Sequence, residues 1–418
     1  MRYSAPRGTQ DILPRESTKW QHVERVFRDI CRVYGYHELR TPTFEETELF
    51  ARSIGEHTDI VSKEMYTFLD RSERSMTLRP EGTAPVVRAY LQHNLFGEQP
   101  VSKLYYISSI FRYERPQAGR YREHHQVGIE AIGSQDPAID AEVISLGMRY
   151  LAALGITGLE LKVNSVGCPA CRPKYREALR KSVEPYLADL CESCRARYDA
   201  NPLRMLDCKV PGCRELTANV PSITDYLCEE CSTHTKGVLG HLDTVGIESK
   251  QDPRLVRGFD YYTKTAFEVV SGELGAQNAV LGGGRYDGLV EELGGRPTPG
   301  IGFGSGIERI LAVMDAQGIG FPDAPHPDVF VATLGEKPRD AGIKLLAELR
   351  DARIAAETDY SGKSLKSQMK AADRERVRFV VIIGEDELSR GTVKIRNMET
   401  SGEVDAPIGE AVDRLKRV

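Results

Sequence analysis

Glycine at every second position of one short stretch constrains the fold of this chain more than any other feature. The stretch is "GIGFGSG", and its glycines are Gly300, Gly302, Gly304 and Gly306. Successive residues of a strand point to opposite faces, so one face of this strand should carry no side chains and admit a planar ring. The apolar pattern of "IERILAVM" then predicts a helix that begins near Gly306. Arg309 falls in its first turn, where the helix dipole disfavours a cation, so we expect Arg309 to face a ligand.

A pair of strand-like segments lies earlier in the chain. "LYYISSIFRY" and "HHQVGIEAIG" flank the polar loop "ERPQAGRYRE". In the second segment, alternation places Val127 and Ile129 on an apolar face, and Gln126 and Glu130 on a polar face. A solvated surface is the usual explanation of such a pattern, but Gly128 weakens the middle of the polar face unless another group approaches it closely. This polar face is therefore a candidate binding surface.

The stretch "LVRGFDYYTKTAFEVV" combines a strand pattern with an unusual polar cluster. Its second half is rich in β-branched and aromatic residues, which is typical of a strand. Its first half contains Arg257, Asp260, Tyr261 and Tyr262. Taken alone, the cluster fits an edge strand with a wet face and a binding site equally well.

Composition predicts a soluble protein of two or three domains, because 418 residues with 40% apolar and 28% charged residues can form several cores. The sequence contains no run of about 18 apolar residues and no apolar segment of a secretory signal near its N-terminus. We therefore expect a cytoplasmic protein without membrane contact. A net charge of -5 and a pI near 6.1 argue against bulk binding of nucleic acid, so a polyanion would need a local basic patch.

Cysteine is concentrated in one segment, and only Cys31 lies outside it. The segment contains Cys168, Cys171, Cys191, Cys194, Cys208, Cys213, Cys228 and Cys231. Three C-x-x-C pairs and one C-x₄-C pair have the spacing of structural zinc sites, which take four ligands. In the cytosol these thiols should be reduced. A helical insertion with buried thiols that bind no metal explains the pattern equally well, and spacing does not reveal which pairs would share an ion.

The first residues predict a helix and then a sheet edge. From Pro14 to Gly35, apolar residues recur on one face, Glu24 and Arg28 are spaced for an ion pair, and Gly35 is placed to stop the helix. "YHELRTPTFEE" follows and is strand-like, but Pro42 confines it to a sheet edge or a kink. An edge is a place where a second chain can dock.

The last 90 or so residues predict a separate small α/β domain after a linker, "PDAPHP". "DVFVATL", "RFVVIIG" and "GTVKIRNM" read as strands, with helical patterns near residues 341–351 and 364–372. A basic stripe on one helical face consists of Lys363, Lys366, Lys370 and Arg374. Such a patch suits phosphates, although solvated lysines are the commoner explanation.

Several of these stretches together resemble the class II aminoacyl-tRNA synthetases. "FRYERPQAGRYREHHQVGIE" is similar to their second signature motif, "GIGFGSGIERIL" to their third, and residues 14–46 to their looser first motif. "LVRGFDYYT", "GGGRYDGL", "PRGTQD" and "TLRPEGT" resemble the histidyl-tRNA synthetases within this class. The resemblance extends over essentially the whole chain.

The resemblance implies an antiparallel catalytic sheet flanked by helices in residues 1–325, a helical insertion at 168–250, and an anticodon-binding domain at 326–418. It also implies a homodimer with the Pro42 region at its interface. The implied reaction joins L-histidine and ATP into histidyl-adenylate, with Mg²⁺ on the triphosphate, and then transfers the histidyl group to tRNA(His). No covalent nucleophile is required, since positioning and charge neutralisation supply the catalysis.

The resemblance assigns ATP to the second and third motifs. Arg112 would hold the α-phosphate and Arg309 the γ-phosphate, since the planar guanidinium meets phosphate oxygens bidentately. Arg120 is assigned to ATP as well. Gly302, Gly304 and Gly306 would back the adenine. On the other side of the ring the family usually has phenylalanine, whereas this chain has His124, whose imidazole can also stack.

Histidine would be bound by the remaining motif residues. The resemblance places the α-ammonium at Glu81 and Thr83 and the backbone end at Gln126. The imidazole, which has one donor and one acceptor when neutral, would lie between Glu130 and Tyr262. Tyr261 would pack beside it and Tyr286 would close the pocket. Arg257 would hold the histidine carboxylate and the α-phosphate, which favours the binding-site interpretation of "LVRGFDYY".

Two alternatives differ from this assignment. One is a catalytically inactive relative, such as the regulatory subunit that some bacteria pair with ATP phosphoribosyltransferase. Such chains typically lose the histidine-specific arginine and the C-terminal domain, whereas this chain has Arg257 and residues 327–418. The other is a class II synthetase for proline, glycine or threonine, and the two histidine-type stretches argue against it.

Overall fold

The computed structural model of this protein describes residues 3–55, 58, 60–114, 121–274 and 278–416. The chain divides into two compact units, residues 1–322 and residues 323–418. Within the described ranges, every helix is too short or too polar to cross a bilayer.

The first unit is built on a large sheet and a small one. Its described strands are β1 (His37–Glu38), β2 (Phe44–Glu46), β3 (Tyr66–Leu69), β4 (Ser75–Leu78), β5 (Ser102–Phe111), β6 (Glu123–Ile132), β7 (Leu159–Ser165), β8 (Lys250–Gln251), β9 (Thr263–Ser271), β10 (Ala279–Arg285) and β11 (Gly300–Gly306). The large sheet has the order β1-β5-β6-β11-β10-β9-β7-β8, and only its two outermost pairs are parallel among the described strands. The predicted antiparallel sheet is therefore confirmed.

Helices flank this sheet. Those of the first unit within the described residues are α1 (Pro14–Val33), α2 (Thr47–Ile54), α3 (Thr83–Gln92), α4 (Pro137–Ala153), α5 (Arg172–Val183), α6 (Glu192–Ala200), α7 (Pro211–Leu216), α8 (Glu229–Thr244), α9 (Leu289–Glu292) and α10 (Ile307–Ala316). The predicted helix α1 begins at Pro14, a favoured first position because the N–H there would have no partner. It ends just before Gly35, which has a φ of 75°.

The main core lies where α1, α4 and α10 pack on one face of the large sheet. Trp20, Val23 and Phe27 of α1 are buried in it, together with Val127 and Ile129 of β6. The apolar face predicted for β6 is thus the core face. Its polar face, one residue out of phase, lies on the opposite side of the sheet, where the candidate site is found.

Pro42 separates two strands that belong to different sheets. β1 precedes it and forms an edge of the large sheet, where it pairs with β5. β2 follows it and forms an edge of the small antiparallel sheet, in the order β2-β4-β3. The proline therefore lies between strands, which agrees with its inability to donate a ladder hydrogen bond.

The segment between β7 and β8 is helical and has a small core of its own. α5 to α8 are joined by single 3₁₀ turns at Glu184–Asp189, Pro202–Asp207 and Ile223–Tyr226. Tyr175 and Leu179 of α5 pack with Met205 and with cysteine side chains.

The second unit contains a mixed sheet. Its described elements are β12 (Val329–Thr333), α11 (Glu336–Asp351), β13 (Ala356–Thr358), α12 (Leu365–Arg374), β14 (Phe379–Ile383), α13 (Glu385–Ser389), β15 (Thr392–Asn397), β16 (Glu403–Pro407) and α14 (Ala411–Lys416). The strand order is β13-β12-β14-β15-β16, parallel around β12 and antiparallel beyond β14. All three strands and both helices predicted here are present, whereas β13 and β16 were missed.

Candidate active site

A cleft of about 310 Å³ opens on the polar face of the large sheet in the first unit. The predicted site residues that line it are Glu81, Thr83, Arg112, His124, Gln126, Arg257, Tyr261, Tyr262, Tyr286, Gly302, Gly304, Gly306 and Arg309. These residues come from six separate stretches of the chain. The fold thus brings into one space the side chains that the motifs selected.

Arg257 lies in the segment between β8 and β9, and its guanidinium is paired with the carboxylate of Glu268 on β9. A Cβ at Gly282 of β10 would lie 2.6 Å from the guanidinium nitrogens, so Arg257 occupies the space that a side chain there would take. Burial alone would lower the pKa of Arg257, but Glu268 raises it above its ordinary value. The buried Nε finds no hydrogen-bond acceptor among the described residues. Arg257 therefore offers a fixed charge and a donor to an anion in the cleft.

Glu130 is a buried carboxyl that does not itself line the cleft but contacts the lining residues Thr83, Tyr286 and Gly302. It is 1% exposed, and it accepts hydrogen bonds from the Thr83 hydroxyl at 2.8 Å and from the Tyr286 hydroxyl at 2.6 Å. Burial raises the pKa of Glu130 to about 8, the nearby Glu81 adds to this rise, and the two hydroxyls oppose it. A large fraction of Glu130 is therefore protonated at pH 7. In that form it can donate as well as accept a hydrogen bond.

Glu81 is held at the start of α3. Its two oxygens accept the backbone N–H groups of Thr83 at 2.6 Å and Ala84 at 2.7 Å, which otherwise have no partner at a helix N-terminus. Burial raises the pKa of this carboxyl, and the two N–H donors oppose the rise. Each oxygen keeps a lone pair that a ligand ammonium could use.

Tyr106 explains why the polar face of β6 contains a glycine. A Cβ at Gly128 would lie 2.3 Å from the Tyr106 ring, and one at Gly82 would lie 2.4 Å from it. The Tyr106 hydroxyl also accepts a hydrogen bond from the Gln126 amide at 2.9 Å. The close approach inferred from Gly128 is therefore made by a side chain of the protein, which the motifs did not identify.

The glycine face of β11 is filled over most of its length by side chains of the chain itself. A Cβ at Gly300 would lie 2.3 Å from the Tyr286 ring, one at Gly302 would lie 2.0 Å from the Glu130 carboxylate, and one at Gly304 would lie 2.1 Å from the Gln126 amide. At Gly306 the nearest atoms are 3.9 Å away. The part of this face that remains open to a planar ring is therefore the end next to Arg309.

Positive charge is concentrated at that open end. Arg112 directly follows β5, and its Nε donates to the Pro80 carbonyl at 2.7 Å. Arg309 lies in the first turn of α10 and donates to the Ala279 carbonyl at 2.6 Å. Burial lowers the pKa of the half-buried His124 to about 3, and the charges of Arg112 and Arg309 contribute to this effect. The His124 ring is therefore neutral at physiological pH.

The other predicted site residues lie elsewhere. Arg120 lies outside the described residues. Lys363, Lys366 and Lys370 are exposed in the second unit. The prediction of one continuous helical stripe is wrong at Lys363, because α12 begins at Leu365. Lys363 precedes the helix because Ser364, a favoured N-cap residue, has a non-helical backbone with φ -59° and ψ 153°.

The eight clustered cysteines form two groups of four. The first tetrad is Cys168, Cys171, Cys228 and Cys231, and the second tetrad is Cys191, Cys194, Cys208 and Cys213. Within each tetrad all four sulfur atoms lie within 4.8 Å of one another. All eight are free thiols. The structure thus settles which pairs lie together, which spacing alone left open.

Glu308 is a buried carboxylate beside the site that the sequence prediction missed. Its carboxylate accepts the backbone N–H of His125 at 2.9 Å and contacts the His125 ring at 3.0 Å. This contact fixes the start of α10, and with it Arg309, against β6. The signal was the glutamate in "GIERI", which lies inside a motif that was used only for its glycines and its arginine.

A family model described as Histidyl-tRNA synthetase matches residues 8–171 and 174–310. The chain belongs to the histidyl-tRNA synthetase family. A second model, described as Anticodon binding domain, matches residues 328–418. The resemblance inferred from the motifs is therefore confirmed for the family.

Relatives of known name cover almost the full length. A protein named Histidine--tRNA ligase from Caldanaerobacter subterraneus subsp. tengcongensis is 52% identical over 99% of both chains. One of the same name from Desulforamulus reducens is 53% identical over 98% of both. The crystal structure of apo S. aureus histidyl-tRNA synthetase superposes with a TM-score of 0.84 at 40% identity, covering 99% of this chain and 100% of that one. These family members share both domains with this chain.

Proposed function

We propose that this chain activates L-histidine with ATP to form histidyl-adenylate and then transfers the histidyl group to the 3′ end of tRNA(His). The proposal is based on one cleft, which is lined by Arg257, Arg112 and Arg309. Thr83 also lines this cleft and bonds to the buried Glu130. Relatives about half identical over the whole chain have the name of this reaction, which supports the proposal.

Histidine binds at the Glu130 end of the cleft. Its neutral imidazole has one donor and one acceptor, and Glu130 and Tyr262 supply complementary groups. Glu81 and Thr83 receive the α-ammonium, and Gln126, which is oriented by its hydrogen bond to Tyr106, holds the backbone end. Tyr261 packs beside the substrate and Tyr286 closes the pocket. An analogue without both ring nitrogens leaves buried groups unpaired, which can cost a factor of about 10⁴ to 10⁵.

The chemical step joins two substrates without a covalent enzyme intermediate. A carboxylate oxygen of histidine attacks the α-phosphorus, the bond to the leaving pyrophosphate breaks, and negative charge grows on the phosphoryl oxygens. Arg257 and Arg112 stabilise that charge, since fixed donors cost no reorganisation during the reaction. The 3′-hydroxyl of tRNA then displaces AMP from the histidyl carbonyl.

ATP occupies the positive end of the cleft. Arg309 holds the γ-phosphate, and the adenine lies between the His124 ring and the open glycine surface at Gly306. Mg²⁺ neutralises part of the triphosphate charge when it is bound. The donors present fit this ion, because Glu114 and Glu268 line the same cleft with the hard oxygen ligands that Mg²⁺ takes.

Division of labour between domains is part of the proposal. Residues 1–325 act as the catalytic domain, and residues 326–418 bind the anticodon region through Lys363, Lys366 and Lys370. The match of residues 328–418 to an anticodon-binding domain supports this assignment. The protein acts in the cytoplasm as a homodimer with the Pro42 region at its interface. Sedimentation of the purified protein as a monomer at micromolar concentration would contradict the dimer.

Each cysteine tetrad holds one structural zinc ion. Four thiolates at about 2.3 Å from a tetrahedral centre are about 3.8 Å apart. The sulfur separations are 3.5 Å for Cys168–Cys171 and 3.9 Å for both Cys168–Cys228 and Cys191–Cys208. Two sulfurs also accept backbone N–H groups, Cys171 from Cys228 at 3.1 Å and Cys213 from Cys191 at 3.2 Å, as thiolate ligands commonly do. Elemental analysis should find two zinc ions per chain.

ATP–pyrophosphate exchange with a panel of amino acids tests the central proposal. Exchange should depend on histidine, and the Arg257→Ala variant should lose most of it while remaining folded. Loss of one fixed donor at a developing oxyanion costs about 2.7 to 4 kcal/mol. Near-normal exchange in the folded variant, or exchange driven by another amino acid, would contradict the assignment.

A regulatory subunit without catalysis is less well supported. The cleft retains Arg257, whose buried Nε has no acceptor among the described residues and is suited to an anionic substrate. The chain also retains the C-terminal domain. Histidine-dependent exchange by the purified chain separates the two functions directly.

A further inference from the structure

The second cysteine tetrad lies next to the segment that carries Arg257. Pro202–Asp207, the 3₁₀ turn between α6 and Cys208, forms hydrogen bonds with this segment. Arg204 of the turn donates to the Gly258 carbonyl at 2.6 Å. The amide of Asn201, at the start of the turn, donates to the Asp260 carboxylate at 2.6 Å. The turn and the residue before it therefore hold the Gly258 backbone and the Asp260 side chain, one on each side of Phe259.

The segment that carries Arg257 also donates hydrogen bonds to the cysteine-rich segment. Arg254, three residues before Arg257, donates to the Leu206 carbonyl of the turn at 3.3 Å and to the Thr217 hydroxyl at 3.0 Å. Residues 254–260, which we call the arginine loop, form no strand or helix of their own. Residues of the cysteine-rich segment therefore help to set their position, together with Asn164 of β7, which donates to the Leu255 carbonyl at 2.9 Å, and the Ile54 carbonyl, which accepts the Asp260 N–H at 3.2 Å.

The turn itself depends on the tetrad for its position. It is flanked by α6, of nine residues, and α7, of six, and helices of this length are not stable on their own in water. Their common core includes the buried side chains of Cys194, Cys208 and Cys213. A small segment of this kind needs a crosslink, and a bound metal ion supplies one by joining both helices and the end of the turn at a single point.

We propose that the metal ion of the second tetrad positions the arginine loop, and thereby Arg257, for histidine activation. The inference depends on the proposed zinc binding and on the proposed function. The path runs from the tetrad to the turn, then from Arg204 to the Gly258 carbonyl and from Asn201 to the Asp260 carboxylate, and so to Arg257. Arg204 is then a positioning residue. A displacement of about 1 Å at such a contact can lower a rate by about 100-fold.

Substitution of Arg204 tests the last part of this path. Arg204→Ala should raise the KM for histidine about tenfold, as for loss of one hydrogen bond from a charged donor, and leave the KM for ATP and the zinc content unchanged. Arg204→Lys should recover part of the effect, because it keeps a donor. Arg195→Ala is the matched control, since Arg195 on α6 donates to Ala188 and does not contact the arginine loop. An unchanged KM for histidine in Arg204→Ala would overturn the proposal.

Substitution of Cys213 tests the first part. Cys213→Ser should lose one of two zinc ions and show the same rise in the KM for histidine, whereas Cys213→His, which keeps a zinc ligand, should retain both ions and normal kinetics. Loss of the ion with unchanged histidine kinetics would overturn the positioning role. If Cys213→Ser does not fold, the Arg204 variants still decide.

The three proposals fail in different ways. Wild-type protein free of metal would overturn the zinc assignment while leaving histidine activation intact. Wild-type protein that holds two zinc ions but does not activate histidine would overturn the proposed function. Two ions, normal activation and an insensitive Arg204→Ala variant would overturn only the link between them.

Discussion

Replacement of Glu130 by glutamine isolates the electrostatics of the carboxyl buried behind the cleft. Glu130 is buried between the hydroxyls of Thr83 and Tyr286, and burial raises its pKa to about 8. Glutamine has nearly the same shape and cannot ionise. Its amide can still bond both hydroxyls, because a hydroxyl donates and accepts. The variant therefore removes the titration and keeps the packing.

The pH dependence follows from the direction of the shift. The folded protein binds one proton more than the unfolded chain between the ordinary carboxyl value of 4.5 and about 8. The resulting stabilisation is complete below pH 4.5, decreases as the pH rises, and is lost once the pH passes about 8. Between pH 6 and pH 9 the loss amounts to about 3 kcal/mol of unfolding free energy.

Denaturant unfolding of wild type and of Glu130→Gln at pH 6 and at pH 9 measures this loss of unfolding free energy directly. Titrations of all other groups are common to both proteins and cancel in the double difference. We expect wild type to lose about 3 kcal/mol more than the variant between pH 6 and pH 9. Equal losses would show that Glu130 is already ionised at pH 6 and is not a protonated carboxyl in the folded protein. Histidine-dependent exchange should fall in the variant at every pH.

Three further predictions test the rest of the molecule. In Gly282→Ala the new Cβ would lie 2.6 Å from the Arg257 guanidinium, so histidine activation should fall while the fold persists. Gly288→Ala is the control, because a Cβ there would have no atom within 4 Å, and it should behave as wild type in pyrophosphate exchange. Because the pKa of His124 is about 3, the KM for ATP should not titrate through this ring between pH 6 and pH 8, and a pH dependence that disappears in His124→Phe would contradict this. Combined Lys366→Ala and Lys370→Ala should weaken aminoacylation, reduce its salt dependence and leave pyrophosphate exchange intact; normal charging would remove these lysines from the tRNA surface.

Residue patterns predicted the strands around the cleft because each has a clear period of two. β6 and β11 have the predicted course, and Gln126 and Glu130 lie on the face opposite the core. β13 and β16 were missed, since β13 has three residues and β16 exposes four of its five side chains. Short or exposed strands owe their position to neighbouring strands and show little apolar pattern.

The site was predicted less completely than the fold. A glycine in the sequence indicates that a side chain does not fit at that position, but it does not show which group occupies the space. Gly128 indicated a close approach, but only the structure shows that Tyr106 makes it. The same holds for the "GGG" of β10, where Gly282 makes room for Arg257, and Gly284 makes room for the Thr265 carbonyl at 2.6 Å and the Tyr262 ring at 2.9 Å. The cysteine pairing also stayed open, because it depends on how α5 to α8 fold together.

A Cβ at Gly302 of β11 and a Cβ at Gly282 of β10 would meet different kinds of atoms, and the two glycines therefore have different roles in the same sheet. At Gly302 a Cβ would meet both the Glu130 carboxylate at 2.0 Å and the Ile129 carbonyl at 2.3 Å, and the latter is backbone of the neighbouring strand. At Gly282 the three nearest atoms all belong to the Arg257 guanidinium, the end of a long side chain. Backbone in a sheet cannot yield, whereas a long side chain can rotate away. Gly302 is therefore required by the pairing of β6 with β11 as well as by the pocket, while Gly282 is required by the position of one arginine.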